Sequence, residues 1–138
     1  MNVRSPLAAL TMAAAAGCTA HAQAPIPTRT PLAVIPIAPG KHIDRVEANR
    51  VEFLPGQVMP PHKHTVPVIC FISKGEFLVK IGDAPERRAL QGTTTYEPAE
   101  VTVHYFKNAS ASETAQLLCA SLAGEEDKIL NVMLDPNR

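Results

Sequence analysis

The chain has 138 residues, with 13 Lys and Arg balanced by 13 Asp and Glu. This length suggests one domain, and a formal net charge of +0 gives no electrostatic reason to expect nucleic acid or an anionic membrane surface as a partner. Apolar residues make up 46% of the chain, with no tryptophan, two tyrosines and four phenylalanines. The core is therefore expected to consist mainly of Val, Ile and Leu, which favours strands over long helices.

Residues 1–22 have the features of a signal peptide. Arg4 supplies a positive charge, an alanine-rich apolar stretch follows, and Ala20-His21-Ala22 matches the small-x-small cleavage pattern. The apolar stretch is too short to span a bilayer, so no transmembrane helix is expected. We predict cleavage after Ala22 and export to the periplasm or the medium. The alternative is a lipoprotein anchored through Cys18, because Ala15-Ala16-Gly17-Cys18 resembles a bacterial lipobox.

Residues 23–40 are predicted to form an extended lead-in, because five prolines fall between residues 25 and 39. An edge strand is expected within it at residues 32–37. Residues 41–138 are predicted to fold as a single all-β domain, since short strand-like segments recur at intervals of about ten residues, separated by turn residues. These segments are residues 46–53, 57–59, 66–73, 76–81, 88–90, 93–97, 101–106, 115–122 and 129–134.

Three histidines of the predicted β-domain are candidate metal ligands. Side chains alternate along a strand, so His62 and His64 point the same way with their Cα atoms roughly 6–7 Å apart. His104 lies in another predicted strand. Neutral imidazole binds Fe, Cu, Zn and Ni, and three such ligands leave positions open for substrate or water. The alternative is that His62 and His64 are an accidental, solvent-exposed pair.

Two motifs around these histidines resemble those of the cupin superfamily, in its small single-domain type-2 form. The first motif is a glycine, five residues, His-x-His and a strand closing on a glycine turn, here Gly56, His62, His64 and Gly75. The second is a glycine, five residues, a proline, then a histidine with an asparagine four places later, here Gly92, Pro98, His104 and Asn108. The resemblance implies a jelly-roll β-barrel with a divalent metal at its mouth, held by His62, His64 and His104.

The motifs depart from the family pattern at three positions. The glutamate that usually supplies a fourth ligand is replaced by Val68, which cannot coordinate a metal. In the second motif Glu100 stands where the family has a glycine, and one extra residue precedes His104. Glu97 or Glu100 could replace the missing ligand, although positions in a solvated loop are the favoured interpretation for both.

The resemblance also implies the composition of the pocket. Val68 and Cys70 share the strand face that looks into the barrel in cupins, and Phe53 and Ile72 are further candidates for an apolar wall. The last barrel strand, which carries Cys119, runs beside the strand of Cys70 in this family. In an oxidising compartment the two cysteines could form a disulfide. Buried apolar packing and a free thiol near the metal are the alternatives.

The predicted site suggests a metal-dependent function. Three neutral imidazoles would leave the metal its full charge, which favours a small anionic ligand or substrate. The site thereby resembles those of the three-histidine cupin dioxygenases, which implies Fe²⁺ first, with Zn²⁺, Ni²⁺, Mn²⁺ or Cu²⁺ as alternatives. The other interpretations are a non-catalytic periplasmic module that binds a small ligand or metal, and a metal-free structural barrel. Cupins often form homodimers through edge strands or an N-terminal segment, a role that residues 25–39 could serve here, and the sequence leaves the oligomeric state open.

Overall fold

The computed structural model describes residues 28–37, 40 and 42–135. The chain divides into two units, residues 1–30 and residues 31–138. Of the first unit only residues 28–30 are described, and they are exposed and irregular. The predicted signal peptide and Cys18 lie outside the described residues. In the part of the chain that is described, no helix is long and apolar enough to cross a membrane.

The second unit is built from β-strands, as the sequence predicts. Its described residues contain the strands β1 Arg45–Phe53, β2 Val58–Met59, β3 His62–His64, β4 Val68–Lys74, β5 Glu76–Ile81, β6 Arg87–Leu90, β7 Thr94–Glu97, β8 Thr102–Asn108, β9 Ala115–Ala123 and β10 Asn131–Met133. The expected edge strand at residues 32–37 is absent, because these residues are not paired with any strand. Val66 and Pro67, at the start of a predicted strand, lie in the connection before β4.

The strands form two antiparallel sheets. One sheet has the order β1-β9-β4-β7, and the other has the order β10-β3-β8-β5-β6, with β2 also paired to β8. Neighbours such as β1 and β9, or β4 and β7, are distant in sequence, so most pairing is long-range, as in a jelly roll. Short β3 therefore lies near one edge of its sheet, and β7 forms an edge of the other.

The core fills the space between the two sheets with side chains from alternate strand positions. Phe53 of β1 meets Phe77 of β5 edge to face, with ring centroids 5.0 Å apart, and Phe77 meets Phe106 of β8 at 6.1 Å. The buried cluster comprises Phe53, Ile72, Phe77, Val79, Ala89, Val103, Phe106, Ala115 and Leu117. Its aliphatic members outnumber its three aromatic ones, in agreement with the composition.

The turn between β4 and β5 requires glycine. Gly75 has a φ of +77°, and a Cβ added there would lie 2.8 Å from the Cβ of Ala115 on β9. Both the left-handed backbone and the close approach of β9 exclude a larger side chain. The end of the first motif is thus a structural position, as the resemblance implies.

Candidate metal centre

His62 and His64 lie on β3 and direct their side chains to the same side. Their ring centroids are 5.1 Å apart, with an angle of 88° between the ring planes. His62 is buried, with 5% of its surface exposed, and His64 is half-buried. The alternating geometry of a strand thus places both imidazoles at the barrel interior.

Backbone carbonyls fix the orientation of both rings. Nδ1 of His62 donates to the carbonyl of Pro60 at 2.9 Å, and Nδ1 of His64 donates to the carbonyl of Leu130 at 3.2 Å. A carbonyl can only accept, so each Nδ1 carries a proton and each ring turns Nε2 toward Glu97, the nitrogen that would bind a metal once it has no proton. A backbone acceptor on the far nitrogen is the usual support for a metal-binding histidine.

Glu97 of β7 completes the group of inward-facing donors. Its Oε2 is 2.9 Å from Nε2 of His64 and 3.7 Å from Nε2 of His62. Only 3% of the Glu97 surface is exposed. The donor atoms of the three side chains lie within 4.8 Å of one another. The large sheet supplies the imidazoles and the edge of the small sheet supplies the carboxylate.

The three side chains are electrostatically coupled. Burial alone would raise the pKa of Glu97, but hydrogen bonds from His62 and His64 and their charges outweigh it and lower that pKa. Burial alone would lower the pKa of His62, but its contacts with Glu97 and the Pro60 carbonyl raise that pKa. Glu97 is therefore a carboxylate at neutral pH, which is the form that binds a cation.

His104 does not join this group, and its prediction as a ligand is not supported by the structure. Its side chain is exposed, and the pairing of β5 with β8 skips it, since Lys80 faces Tyr105 and Ile81 faces Val103. His104 is thus the extra residue of a bulge, and the inward position is taken by Val103, the register partner of His62. The extra residue in the second motif turns the histidine outward.

A cavity of about 360 Å³ adjoins the donor group. Of the predicted wall residues, Phe53, Val68 and Cys70 line it, whereas Ile72 is packed in the core away from it. The sequence did not single out the other lining residues. They include Glu47, Asn49, Met59, Phe106, Leu117, Ser121, Leu130 and Asn131. Strand alternation could have found some of them, because Ser121 lies two residues after Cys119 on the same face of β9.

Cys70 and Cys119 form a disulfide across the small sheet. They are direct register partners on β4 and β9, with Cα atoms 4.0 Å apart. Both line the cavity, and Sγ of Cys70 lies 3.2 Å from Oε1 of Glu97. The disulfide interpretation of the two cysteines agrees with the structure, and the bond lies against the candidate metal ligand Glu97.

The donor set suits a divalent transition metal. Two imidazole nitrogens and one carboxylate oxygen converge from two sheets, and both rings have backbone acceptors on their other nitrogen. A 2-His-1-carboxylate set with open positions is typical of non-heme Fe(II) oxygenases. Glu100 is not part of the set, because it is exposed and pairs with Lys63.

These features define a class, that of small two-sheet β-barrels with a candidate metal centre between the sheets. The cupin domain family matches residues 49–121, which is more than half of the chain. The chain therefore belongs to the cupin family. No curated protein matches it by sequence.

Solved structures with the same fold include several enzymes. The DMSP lyase DddQ from Ruegeria pomeroyi has a TM-score of 0.58 and 22% identity, over 69% of this chain and 46% of that protein. Oxalate oxidase in complex with the substrate analogue glycolate has a TM-score of 0.54 and 27% identity, over 64% of this chain and 46% of that protein. Oxalate decarboxylase from Bacillus subtilis has a TM-score of 0.56 and 18% identity, over 64% and 24% of the two chains. The match thus spans less than half the length of each of these enzymes.

Proposed function

We propose that this cupin is an exported, metal-dependent oxidoreductase, dioxygenase-like in its use of oxygen, that acts on a small organic anion. The observation that carries the proposal is the convergence of His62, His64 and Glu97 on the wall of one cavity. Fe²⁺ is the first candidate metal, because this ligand set is typical of non-heme iron oxygenases. Such a metal would supply Lewis-acid and redox chemistry when bound.

The charge of the site favours a small anion. One carboxylate ligand offsets only half the charge of a divalent metal, so the loaded site keeps one net positive charge. The three-histidine site expected from the sequence would leave the metal with both of its positive charges. Glu97 reduces this net charge from two to one, and a positive site still favours an anion. A cavity of about 360 Å³ restricts the ligand to a small molecule.

The protein would contribute binding, orientation and exclusion of water. Phe53, Val68 and Leu117 give the cavity an apolar wall, which would strengthen electrostatic contacts inside it. Asn49 and Ser121 add polar groups to the cavity wall. These groups are suited to donate hydrogen bonds to, or accept them from, the part of the ligand that does not reach the metal.

The similarity to oxalate oxidase supports a carboxylate as that anion. The two chains are 27% identical over the matched region, and glycolate is the substrate analogue bound there. We therefore propose small hydroxy or dicarboxylic acids as the first compounds to test.

Export is part of the proposal. Residues 1–22 carry the charge, apolar stretch and Ala20-His21-Ala22 cleavage pattern of a signal peptide. The Cys70–Cys119 disulfide supports this proposal, since disulfides persist in oxidising compartments and are rare in the cytosol. The lipoprotein alternative, with an anchor on Cys18, predicts a membrane-bound product.

A non-catalytic binding module is the second candidate function. Apart from the His-His-Glu group, the titratable side chains described along the cavity are Glu47 and Arg50, and both are exposed. No buried acid or base therefore stands beside the metal group in the described cavity wall. Such a site could hold a metal and a ligand without turnover.

The deciding experiment combines metal analysis with oxygen consumption. The full-length chain would be expressed in a bacterial host, recovered from the periplasm without chelator, and analysed by elemental mass spectrometry and N-terminal sequencing. Near-stoichiometric iron, absent from a His62→Ala/His64→Ala variant, together with oxygen uptake on a small carboxylate is the expected result. Bound metal without oxygen uptake on any compound would favour the binding module. Absence of metal after reconstitution would overturn both.

A further inference from the structure

The Cys70 sulfur lies against a candidate metal ligand. Oε2 of Glu97 faces the two imidazoles, while Oε1 of the same carboxylate is 3.2 Å from Sγ of Cys70. Glu97 thus bridges the histidines and the cysteine. Cys70 is 1% exposed, and it shares the inward face of β4 with Val68.

A buried hydroxyl beside the cysteine lacks a partner. Thr95 is the register partner of Cys70 on β7 and is 1% exposed. Among the described residues its Oγ1 has no hydrogen-bond partner. A buried hydroxyl normally finds one. A sulfur in a disulfide is a poor acceptor, whereas a Cys70 thiolate would be a strong acceptor at the register position directly opposite Thr95.

We propose that the Cys70–Cys119 pair is a redox switch for the metal centre, in which reduction makes Cys70 a fourth ligand beside His62, His64 and Glu97. The inference rests on the proposed metal site and extends it. Once the bond to Cys119 is broken, the Cys70 sulfur is free to turn about its Cα–Cβ bond between staggered rotamers. The sulfur would turn toward the Glu97 carboxylate, whose Oε1 it already contacts at 3.2 Å.

The two forms would differ in the metals they suit. With the disulfide intact, three protein ligands leave open positions, as in catalytic sites. With Cys70 bound, the set becomes two imidazoles, one carboxylate and one thiolate. Four protein ligands with a thiolate make a closed, tetrahedral site that favours Zn²⁺. Formation of the disulfide after export would therefore open the centre to substrate.

The redox step is an ordinary thiol–disulfide exchange. A dithiol reductant gives two electrons and two protons to the Cys70–Cys119 bond and becomes a disulfide itself. The products in this chain are two thiols. When the Cys70 sulfur binds the metal, its thiol proton passes to solvent.

Cobalt(II) is the probe, because thiolate ligation gives it an intense near-ultraviolet charge-transfer absorption that imidazole and carboxylate do not. Four forms of the full chain would be titrated: the disulfide form, the form reduced with a phosphine, Cys119→Ser and Cys70→Ser. Cys119→Ser leaves Cys70 as a free thiol, and Cys70→Ser is its matched control. A phosphine replaces a dithiol here because dithiols chelate the metal.

The charge-transfer absorption is expected in the reduced form and in Cys119→Ser, and not in the disulfide form or in Cys70→Ser. Zn²⁺ should bind Cys119→Ser roughly tenfold or more tightly than Cys70→Ser, because ligand number sets affinity. Equal spectra and affinities for the two serine variants would overturn the switch while leaving the three-ligand centre intact. Failure of the disulfide form to bind cobalt would instead overturn the proposed metal site. Chemical reduction of the natural chain keeps the test valid if a variant fails to fold.

Discussion

Val68 and Glu97 face each other as register partners on β4 and β7. Val68 stands where the family resemblance expects a glutamate ligand, and the carboxylate is supplied from directly across the strand pair. Directly opposed Cβ atoms in a sheet are roughly 4.5–5.5 Å apart, so a glutamate on β7 reaches the same space as one on β4. The candidate centre thus has a carboxylate donor on β7, although the first motif has valine at the position where the family usually has glutamate.

Glu97→Gln is expected to abolish stoichiometric metal binding, whereas His104→Ala is not. The amide keeps the shape of Glu97 but removes the negative charge and one oxygen donor from a buried position. Loss of affinity should exceed a hundredfold, since changes outside the ligand set alone cost about 10–100-fold. Metal titration by competition with a chromophoric chelator would measure both variants.

Glu100→Gln provides a matched acidic control for that comparison. Glu100 is exposed and pairs with Lys63, so its loss should leave affinity unchanged. If His104→Ala weakens metal binding as much as Glu97→Gln, the outward placement of His104 is contradicted. The three variants thus separate the ligand set of the structure from the set expected from the sequence.

The strand pattern and the first metal motif could be predicted from sequence because they depend on local rules. Alternation along β3 places His62 and His64 together, and glycines mark the turns. The second motif failed at His104, because one extra residue is absorbed by a bulge in β8 that reverses the side chain. The extra residue before His104 is visible in the motif spacing, but spacing alone does not show that a bulge takes it up at His104 itself.

The sequence offered Glu97 as a replacement ligand but favoured a solvated loop position, and the buried position of Glu97 corrects that interpretation. It lies at the end of β7, beside Pro98, where a polar residue is usually solvated. The pairing of β4 with β7 and the backbone bond from Glu100 N to His64 O, at 2.7 Å, bring it to the histidines. Both are long-range contacts in sequence, so they become visible only in the folded chain.

Metal affinity is expected to fall steeply as pH drops through the raised pKa of His62. Burial lowers the pKa of this ring, but the contacts with Glu97 and the Pro60 carbonyl outweigh burial and place it above the ordinary value of about 6.5. A metal must displace that proton, so binding weakens in the protonated form. Titrations between about pH 5 and 8 would test this, and an affinity that is constant over that range would contradict it.

Protonation of His62 weakens metal binding, but in the metal-free protein it should stabilise the fold. The raised pKa of His62 contributes stability that is fully present below about pH 6.5 and is lost as pH rises through the folded value. The lowered pKa of Glu97 contributes stability that is present above about pH 4.5 and is lost as pH falls further. Urea unfolding with a chelator present should therefore give greatest stability at mildly acidic pH, and Glu97→Gln should lack this maximum.

Reduction of the Cys70–Cys119 disulfide is expected to lower the free energy of unfolding by about 4 kcal/mol. The bond closes a loop of sequence separation 49, and the cross-link restricts the unfolded chain accordingly. Urea unfolding with and without a phosphine, in the presence of a chelator, measures the difference. The Cys70→Ser/Cys119→Ser variant is the control and should not respond to the phosphine. An unchanged midpoint after thiol titration has shown full reduction would contradict the prediction.

Asn108→Ala is expected to destabilise the fold without affecting the metal centre. The buried Asn108 side chain donates through Nδ2 to the carbonyls of Leu54 and Glu113, at 3.0 and 2.7 Å, and accepts at Oδ1 from the Ser110 N–H at 3.0 Å. Removal breaks all three bonds, which are part-buried, at a cost of about 2–4 kcal/mol. Lys107→Ala, on the exposed face of the same strand, should change stability by less than about 0.5 kcal/mol.

Asn108→Asp separates the role of the two donors from that of the acceptor. The aspartate carboxylate can still accept from the Ser110 N–H, but it has no N–H to donate to the Leu54 and Glu113 carbonyls and repels them. This variant should therefore be at least as unstable as Asn108→Ala. Urea unfolding would rank the variants, and metal content would be measured in parallel. Because Asn108 anchors the loop after β8 and does not line the cavity, full metal occupancy is expected in every folded sample. A variant that keeps its stability but loses metal would show that this loop supports the centre and not only the barrel.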